Sequence, residues 1–333
     1  MQRTYSFIIP VYNRPQEIKE LLESLANLTY SGDFEIVIVE DGSTVKCDEV
    51  VLLFQDSLDI SYYYKPNSGP GDSRNFGMKK ANGNYFIILD SDCLLPPQYL
   101  QEVDKALNNV YLDCFGGPDA AHSSFTSLQK AINYVMTSYL TTGGIRGKKN
   151  AVQRFEPRSF NMGISKKAFM ASGGFGKIHP GEDPDLSQRL LQKGFAIGFI
   201  EKAFVFHKRR ISWSKFYTQV KKFGLVRPIL TQWHPHSAKI SFWFPSLFIL
   251  YTVVSLILLL IGYWVFISLL LLYVFLIFID ASVKNRSLKI GFYSILALFI
   301  QFFGYGLAFA KSTLFIRVLN ENPQKRFPQL FFD

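Results

Sequence analysis

The sequence predicts an α/β domain with a mostly parallel sheet flanked by helices, followed by C-terminal transmembrane helices. Short apolar strands alternate with amphipathic helical stretches through the first part of the chain, as in proteins built from β-α-β units. Acidic residues gather just after the strands, and residues 240–279 carry no charge at all.

Ser6-Phe7-Ile8-Ile9-Pro10-Val11 reads as a buried strand, and the proline of Arg14-Pro15 suits a helix first turn. Ile18, Leu21, Leu22, Leu25 and Leu28 then recur at helical spacing. A second strand, Phe34 to Val39, stops at Glu40-Asp41-Gly42-Ser43, and a third covers Ile60 to Tyr64. Gly69-Pro70-Gly71-Asp72 opens a helix that runs to Ala81-Asn82-Gly83-Asn84. The fourth strand, Tyr85 to Leu89, ends at Asp90-Ser91-Asp92. Right-handed crossovers between such strands make the sheet parallel, and ligands bind beyond its carboxyl ends. Asp41, Asp90 and Asp92 fall there. Two carboxylates bracketing one small residue at a strand end suit a hard divalent cation, Mn²⁺ or Mg²⁺. In Gly181-Glu182-Asp183-Pro184-Asp185, Asp185 reads as a helix cap, which leaves Glu182 and Asp183 free for general-base work. His207, ending the apolar stretch Ala203-Phe204-Val205-Phe206, is a candidate third metal ligand.

The chain has 333 residues, 48% hydrophobic and 19% charged, which excludes a disordered protein. Its 36 Lys+Arg against 26 Asp+Glu give +10. Nine of those basic residues lie between Lys202 and Lys239 with no acidic one, a collar suited to anionic lipid headgroups. The absence of an aromatic-and-basic RNA motif argues against a nucleic-acid partner. Residues 240–279 as one helix would reach about 60 Å, twice the roughly 30 Å hydrocarbon core. A two-helix hairpin over 240–282, turning at Gly262-Tyr263-Trp264, is therefore expected. The segment 290–310, interrupted by Gln301, Gly304 and Gly306, is a third span or a re-entrant helix, with 311–333 as a tail. Three full spans would put Lys311, Arg317, Lys325 and Arg326 across the membrane from the basic collar, against the positive-inside rule. The stretch before Pro10 is too short for a signal peptide. The expectation is a multi-pass membrane protein whose catalytic domain, 1–230, is cytosolic, with 202–239 as a basic juxtamembrane segment. Phe216, Val220 and Phe223 interleave with Lys215, Lys221 and Lys222, fitting a helix that lies on the bilayer or packs on the catalytic domain. Cys47, Cys93 and Cys114 form no C-x-x-C pair and read as reduced thiols.

Five segments in order, Ser6 to Asn13, Val39 to Ser43, Asp72-Ser73-Arg74-Asn75-Phe76-Gly77, Asp90-Ser91-Asp92 and Gly181-Glu182-Asp183, resemble the family 2 glycosyltransferases of the GT-A fold. The likeness spans roughly residues 5 to 230. It implies transfer of a sugar from a UDP- or GDP-sugar, with Pro10, Tyr12 and Asp41 on the nucleotide and Arg74, Asn75 and Asp90 beside the sugar-diphosphate. It also implies Asp92 and Asp90 on the metal, Asp183 as base with Glu182 beside it, and Asn161 and Gly174 on the acceptor side. The second strand ends Glu40-Asp41 where the family commonly has two aspartates, and the processive Q-x-x-R-W is missing. Single-sugar transfer to a hydroxyl of a lipid-linked or membrane-presented glycan, in cell-surface polysaccharide or glycolipid assembly, is expected. Transfer onto polyprenyl phosphate, as in dolichol-phosphate mannosyltransferase-like proteins, is the alternative, and a non-catalytic membrane or nucleic-acid-binding protein the remote one.

Overall fold

A computed structural model describes residues 3–120, 125–143, 156–207 and 212–332. The chain forms two compact units, one from residues 1–122, 146–208 and 331–333, the other from 123–145 and 209–330.

In the first unit, β1 (Tyr5–Val11), α1 (Pro15–Ala26), β2 (Phe34–Asp41), α2 (Asp48–Leu52), β3 (Ile60–Lys65), α3 (Pro70–Lys80) and β4 (Tyr85–Leu89) follow the expected alternation. Then come β5 (Cys93–Leu94), α4 (Tyr99–Asn109), β6 (Cys114–Gly116) and β7 (Asp119–Ala120). After α5 (Ser127–Thr137) and α6 (Tyr139–Thr142), which belong to the second unit, the chain returns with β8 (Asn161–Ser165), α7 (Lys166–Ser172), α8 (Glu182–Gln192), β9 (Ile197–Phe199) and β10 (Val205–His207). The main sheet is ordered β3-β2-β1-β4-β8-β6-β9. Strands β3, β2, β1 and β4 are parallel, while β8 runs antiparallel to β4 and β6.

The central strands are buried on both faces, which is why they read as continuous apolar runs. Alternate side chains divide between two cores. Phe7, Ile9 and Val11 pack with Leu21 and Leu25 of α1 and Val103 and Leu107 of α4. Ile8 instead joins Met78 of α3, Phe169 of α7 and Leu186 and Leu190 of α8. A three-stranded sheet, β5-β10-β7, sets His207 opposite Cys93, directly after the Asp90-Ser91-Asp92 turn.

The second unit comprises α5, α6, α9 (Trp213–Trp233), α10 (Phe244–Leu260), α11 (Val265–Asn285), α12 (Leu288–Ser312) and α13 (Pro323–Arg326). Three helical stretches, Ile240–Leu260, Val265–Asn285 and Leu288–Val318, are long and apolar enough to cross a membrane. The first two form the expected hairpin, turning at Gly262, whose φ is +91°. The division between units falls at 208 rather than at the expected 230, because α9 buries Phe216 and Val220 in the core of the second unit, with Phe302 of α12. That face of α9 is covered by a helix, which corrects the bilayer-lying reading.

The path of α12 is informative. Near its start, Gly291 lies against Phe278 and Ser282 in the last turns of α11. Near its end, Gly306 lies against Pro245 and Ile249 in the first turns of α10, and Trp243 meets Phe309 edge-on. Both contacts are at the end of the hairpin opposite its turn, so α12 runs across the open base of the hairpin.

Candidate active site

The carboxyl ends of β1, β2 and β4, together with the start of α8, bring most of the expected residues to one side of the sheet. Asp90, at the end of β4, accepts from Arg74 Nη2 at 2.8 Å, and Arg74 Nη1 donates to Glu182 Oε1 at 3.0 Å. One buried guanidinium thus links the strand end to the acidic helix start across a long stretch of sequence. His179 Nδ1 lies 2.9 Å from the same Glu182 oxygen. Burial alone would raise the proton affinity of Glu182, but His179 and Arg74 outweigh it and bring the carboxyl down to about 2. Asp183 next to it goes the other way. Burial, and then the charge of Glu182, push it up to about 6, despite Arg74, Arg158 and a hydrogen bond from Ser159.

Asp92 accepts from Arg14 Nη1 at 2.6 Å through Oδ2 and has His207 Nε2 3.2 Å from Oδ1. The ring of His207 stacks on Phe160. Burial opposes ionisation of Asp92, but His207 and Arg14 hold it well below the usual carboxylate range. Ligand atoms of Asp92, Cys93 and His207 lie within 4.8 Å of one another. Asp92 Oδ1 is buried with only the His207 ring beside it, and His207 Nδ1 is buried with no hydrogen-bond partner, a donor set whose chemistry suits a divalent cation. Of eleven such buried polar atoms among the described residues, five belong to Arg74, Asp92, Glu182, Asp183 and His207. Native proteins rarely leave such atoms unpaired, so their gathering here makes this the candidate site for a polar ligand.

Other expected site residues have structural duties. Both Asp41 oxygens are occupied, Oδ1 by Lys65 Nζ at 2.8 Å and the Ser68 amide at 2.9 Å, Oδ2 by the Gly69 amide at 3.0 Å. Asp41 therefore shapes the turn ahead of α3. Asn75 pairs its side-chain amide with both backbone groups of Phe175, at 2.9 and 2.8 Å, and a Cβ on Gly174 would come within 2.2 Å of Asn75 Oδ1. Asn75 and Gly174 thus lock α3 to the loop before α8. Asn161 is corrected more strongly. It is fully buried, accepts from Tyr99 Oη at 2.6 Å and donates to Ala203 O at 2.7 Å, so it knits β8 to its neighbours and does not face an acceptor. Asp185 is not the cap of α8 but sits inside its first turn, paired with Arg189 at 2.8 Å. Tyr12, by contrast, is half exposed at the end of β1, and Pro10 is partly exposed beside it. Glu40 answers its own departure from the family pattern. Fully buried, it accepts from Ser43 Oγ, from the Cys47 amide at 2.9 Å and from Tyr62 Oη at 3.2 Å, which closes the loop after β2.

Sequence reasoning missed Arg14 and His179. Arg14 stands three residues beyond the end of β1, on the ligand side of the sheet, and His179 stands three residues before Glu182, and those positions were the available signal. Lys208 to Arg210 lie outside the described residues.

A mixed sheet with carboxylates at its strand ends and a carboxylate pair opening the helix across from them defines a GT-A-like glycosyltransferase domain. Residues 6–170 match the family model for glycosyl transferase family 2, and this domain belongs to that family. An uncharacterized glycosyltransferase of Rickettsia felis is 44% identical over 130 residues, 39% of this chain and 20% of the relative. A chondroitin synthase of Escherichia coli is 27% identical over 235 residues, 61% of this chain and 34% of the synthase. The first two curated relatives are matched over 13% and 35% of their length. Among solved structures, a mannosyltransferase from Pyrobaculum calidifontis in complex with GDP-Man and Mn²⁺ shares the fold. The two superpose with a TM-score of 0.57 at 14% identity, over 96% of this chain and 88% of that one.

Proposed function

We propose that this chain transfers a single sugar, with inversion, from a UDP- or GDP-sugar to a hydroxyl of a membrane-presented glycan, in a metal-dependent reaction with Asp183 as general base. The observation that carries the reading is the pair at the start of α8. Glu182 is held ionised by Arg74 and His179, while its neighbour Asp183 is raised to about 6 and has a buried Oδ1 with no donor. A carboxylate near that value is ionised at neutral pH yet basic enough to take a hydroxyl proton. Two adjacent carboxyls with opposite shifts are the pattern expected where one is structural and one works.

On this reading Pro10, Tyr12 and the turn held by Asp41 border the nucleotide. Arg74, fixed by Asp90 and Glu182, faces the diphosphate side, and Asp90, Asp92 and His207 are the residues that would hold Mn²⁺ or Mg²⁺. A divalent cation bound there supplies charge neutralisation to the leaving nucleoside diphosphate. Asp183 removes the acceptor proton as its oxygen attacks the anomeric carbon in line, so no covalent sugar-enzyme intermediate is required. The Glu182-Arg74-Asp90 chain fixes the distance between the base and the leaving-group side.

The placement of α12 supports an even number of membrane crossings, with α10 and α11 as the crossing pair and α12 at the membrane surface. Phe331 and Phe332 pair with Ile178 and Lys177 and are themselves part of the first unit, which supports a return of the chain to the catalytic unit's side after an even number of crossings. Three crossings would separate them. This leaves the basic tail with the basic collar, consistent with the positive-inside rule and a cytosolic catalytic unit.

The deciding experiment incubates the full chain in membranes with labelled UDP- and GDP-sugars, with and without Mn²⁺, and extracts the lipids. Mn²⁺-dependent label in lipid-linked glycan is expected. Label on polyprenyl phosphate that survives Asp183→Asn would favour the polyprenyl-phosphate reaction, which needs little help from a base, and the absence of label with every donor would refute the reading.

A further inference from the structure

The segment Phe331-Phe332 belongs to the first unit, where it packs at the margin of the candidate site. Phe331 forms an antiparallel bridge with Ile178, and the Phe332 amide donates to Lys177 O at 3.0 Å. The ring of Phe332 then meets two site elements together. It covers Gly69 so closely that a Cβ there would come within 2.4 Å of the ring, and its centroid is 6.0 Å from that of His179. Gly69, with φ at +92°, is the residue before α3 and gives its amide to Asp41. His179 lies against Glu182. Phe332 therefore touches both ends of one connected network, in which Asp41 fixes the turn that starts α3, α3 carries Arg74, and Arg74 reaches Asp90 and Glu182.

We infer that Phe332 is a positioning residue of the active site, a clasp that holds the Lys65–Gly69 turn and the Lys177–His179 loop in register so that Arg74 and Glu182 stay correctly placed. A bulky aromatic placed on a glycine leaves no room for a side chain at position 69, and the backbone pairing at Lys177 and Ile178 prevents the ring from sliding away. The two loops gain a shared aromatic wall, and ordering both before a ligand arrives lowers the cost of binding it. The consequence for nucleotide binding rests on the function proposed above, whereas the ordering of the loops does not.

The test uses the full chain in lipid nanodiscs, with Phe332→Ala and the bulk-preserving Phe332→Leu. Hydrogen exchange is followed in peptides covering 65–72, 177–182 and the β1 and β4 strands, and UDP and GDP binding is measured calorimetrically with Mn²⁺. Phe332→Ala is expected to speed exchange about tenfold or more in 65–72 and 177–182 while leaving β1 and β4 unchanged. It should also weaken the nucleotide that the wild type binds on the order of tenfold, with Phe332→Leu recovering most of both effects. Unchanged exchange in the two loops overturns the inference. So does acceleration spread equally over β1 and β4, because the residue then contributes only to overall stability. If the wild type binds neither nucleotide, the donor reading fails, and the exchange comparison alone still decides whether Phe332 is the clasp.

Discussion

Asp183→Asn should abolish sugar transfer and at the same time make the protein more stable at neutral pH. The carboxyl is raised from 3.8 to about 6 by burial and by the charge of Glu182, so ionising it in the folded state is unfavourable. Some two units at 1.36 kcal/mol each amount to about 3 kcal/mol at pH 7. The sign follows from which form the fold prefers. A folded value above the unfolded one favours the protonated folded state, so this contribution is fully present below about pH 4 and is lost as pH rises through about 6. Asparagine keeps the shape and can still accept from Ser159, but it carries no charge, so the variant keeps at pH 7 what the wild type has lost. Chemical unfolding of the full chain in detergent, at pH 5 and pH 7.5, gives the comparison. The stability gain of Asp183→Asn should be a few kcal/mol at most at pH 7.5 and clearly smaller at pH 5, with transfer lost at both. A destabilised variant, or a gain that does not change with pH, would refute the assignment of a strained, charged base to this position.

For the wild type, kcat/KM should rise through about pH 6, and Glu182→Gln should move that acid limb downward, since removing the neighbouring charge lowers the proton affinity of Asp183; a limb that stays in place would detach the rate from this pair. His207→Ala and Asp92→Ala should each weaken Mn²⁺ binding, measured by electron paramagnetic resonance of free Mn²⁺, by at least the ~10–100-fold that loss of a supporting hydrogen-bond partner costs a metal site. Arg14→Ala should raise the proton affinity of Asp92, which Arg14 and His207 hold low, and make Mn²⁺ binding more pH-dependent. Single cysteines placed at Gly262 and at Asn320 in a cysteine-free background should label from opposite sides of sealed vesicles, with Asn320 on the side of the catalytic unit.

Much of this was legible in the sequence for a simple reason. The strands β1, β2 and β4 are buried on both faces, so they announce themselves as apolar runs, and the acidic turns that follow them fall at carboxyl ends by topology alone. Side-chain commitments were not legible. Asn75 and Asn161 look available in a motif, but whether an amide meets a sugar or a backbone carbonyl depends on a partner about a hundred residues away for Asn75 and some forty to sixty away for Asn161. The same holds for Arg14 and His179, whose importance comes from distant or newly adjacent carboxylates rather than from any spacing of their own. The boundary at 208 was missed because the periodicity of Phe216, Val220 and Phe223 reports an apolar face without reporting what covers it.

The membrane part carries a question that composition leaves open, and packing within each unit bears on the proposed answer. Hydropathy gives three candidate spans, and length alone cannot separate a crossing helix from one that lies at the surface. Two independent contacts bear on the distinction. Within the second unit, α12 bridges the last turns of α11 and the first turns of α10, which are at the same end of a hairpin. Within the first unit, Phe331 and Phe332 are already paired with residues 177 and 178. A helix that begins and ends at the hairpin base is what the proposed surface placement of α12 requires. The glycines and Gln301 that interrupt the third segment then have a physical role, since a surface helix can leave a polar side chain at the headgroups, where a spanning helix would have to bury it in hydrocarbon. On the proposed function, a catalytic unit tethered in this way would work on acceptors within reach of the bilayer surface, with the nine basic residues of 202–239 facing its headgroups.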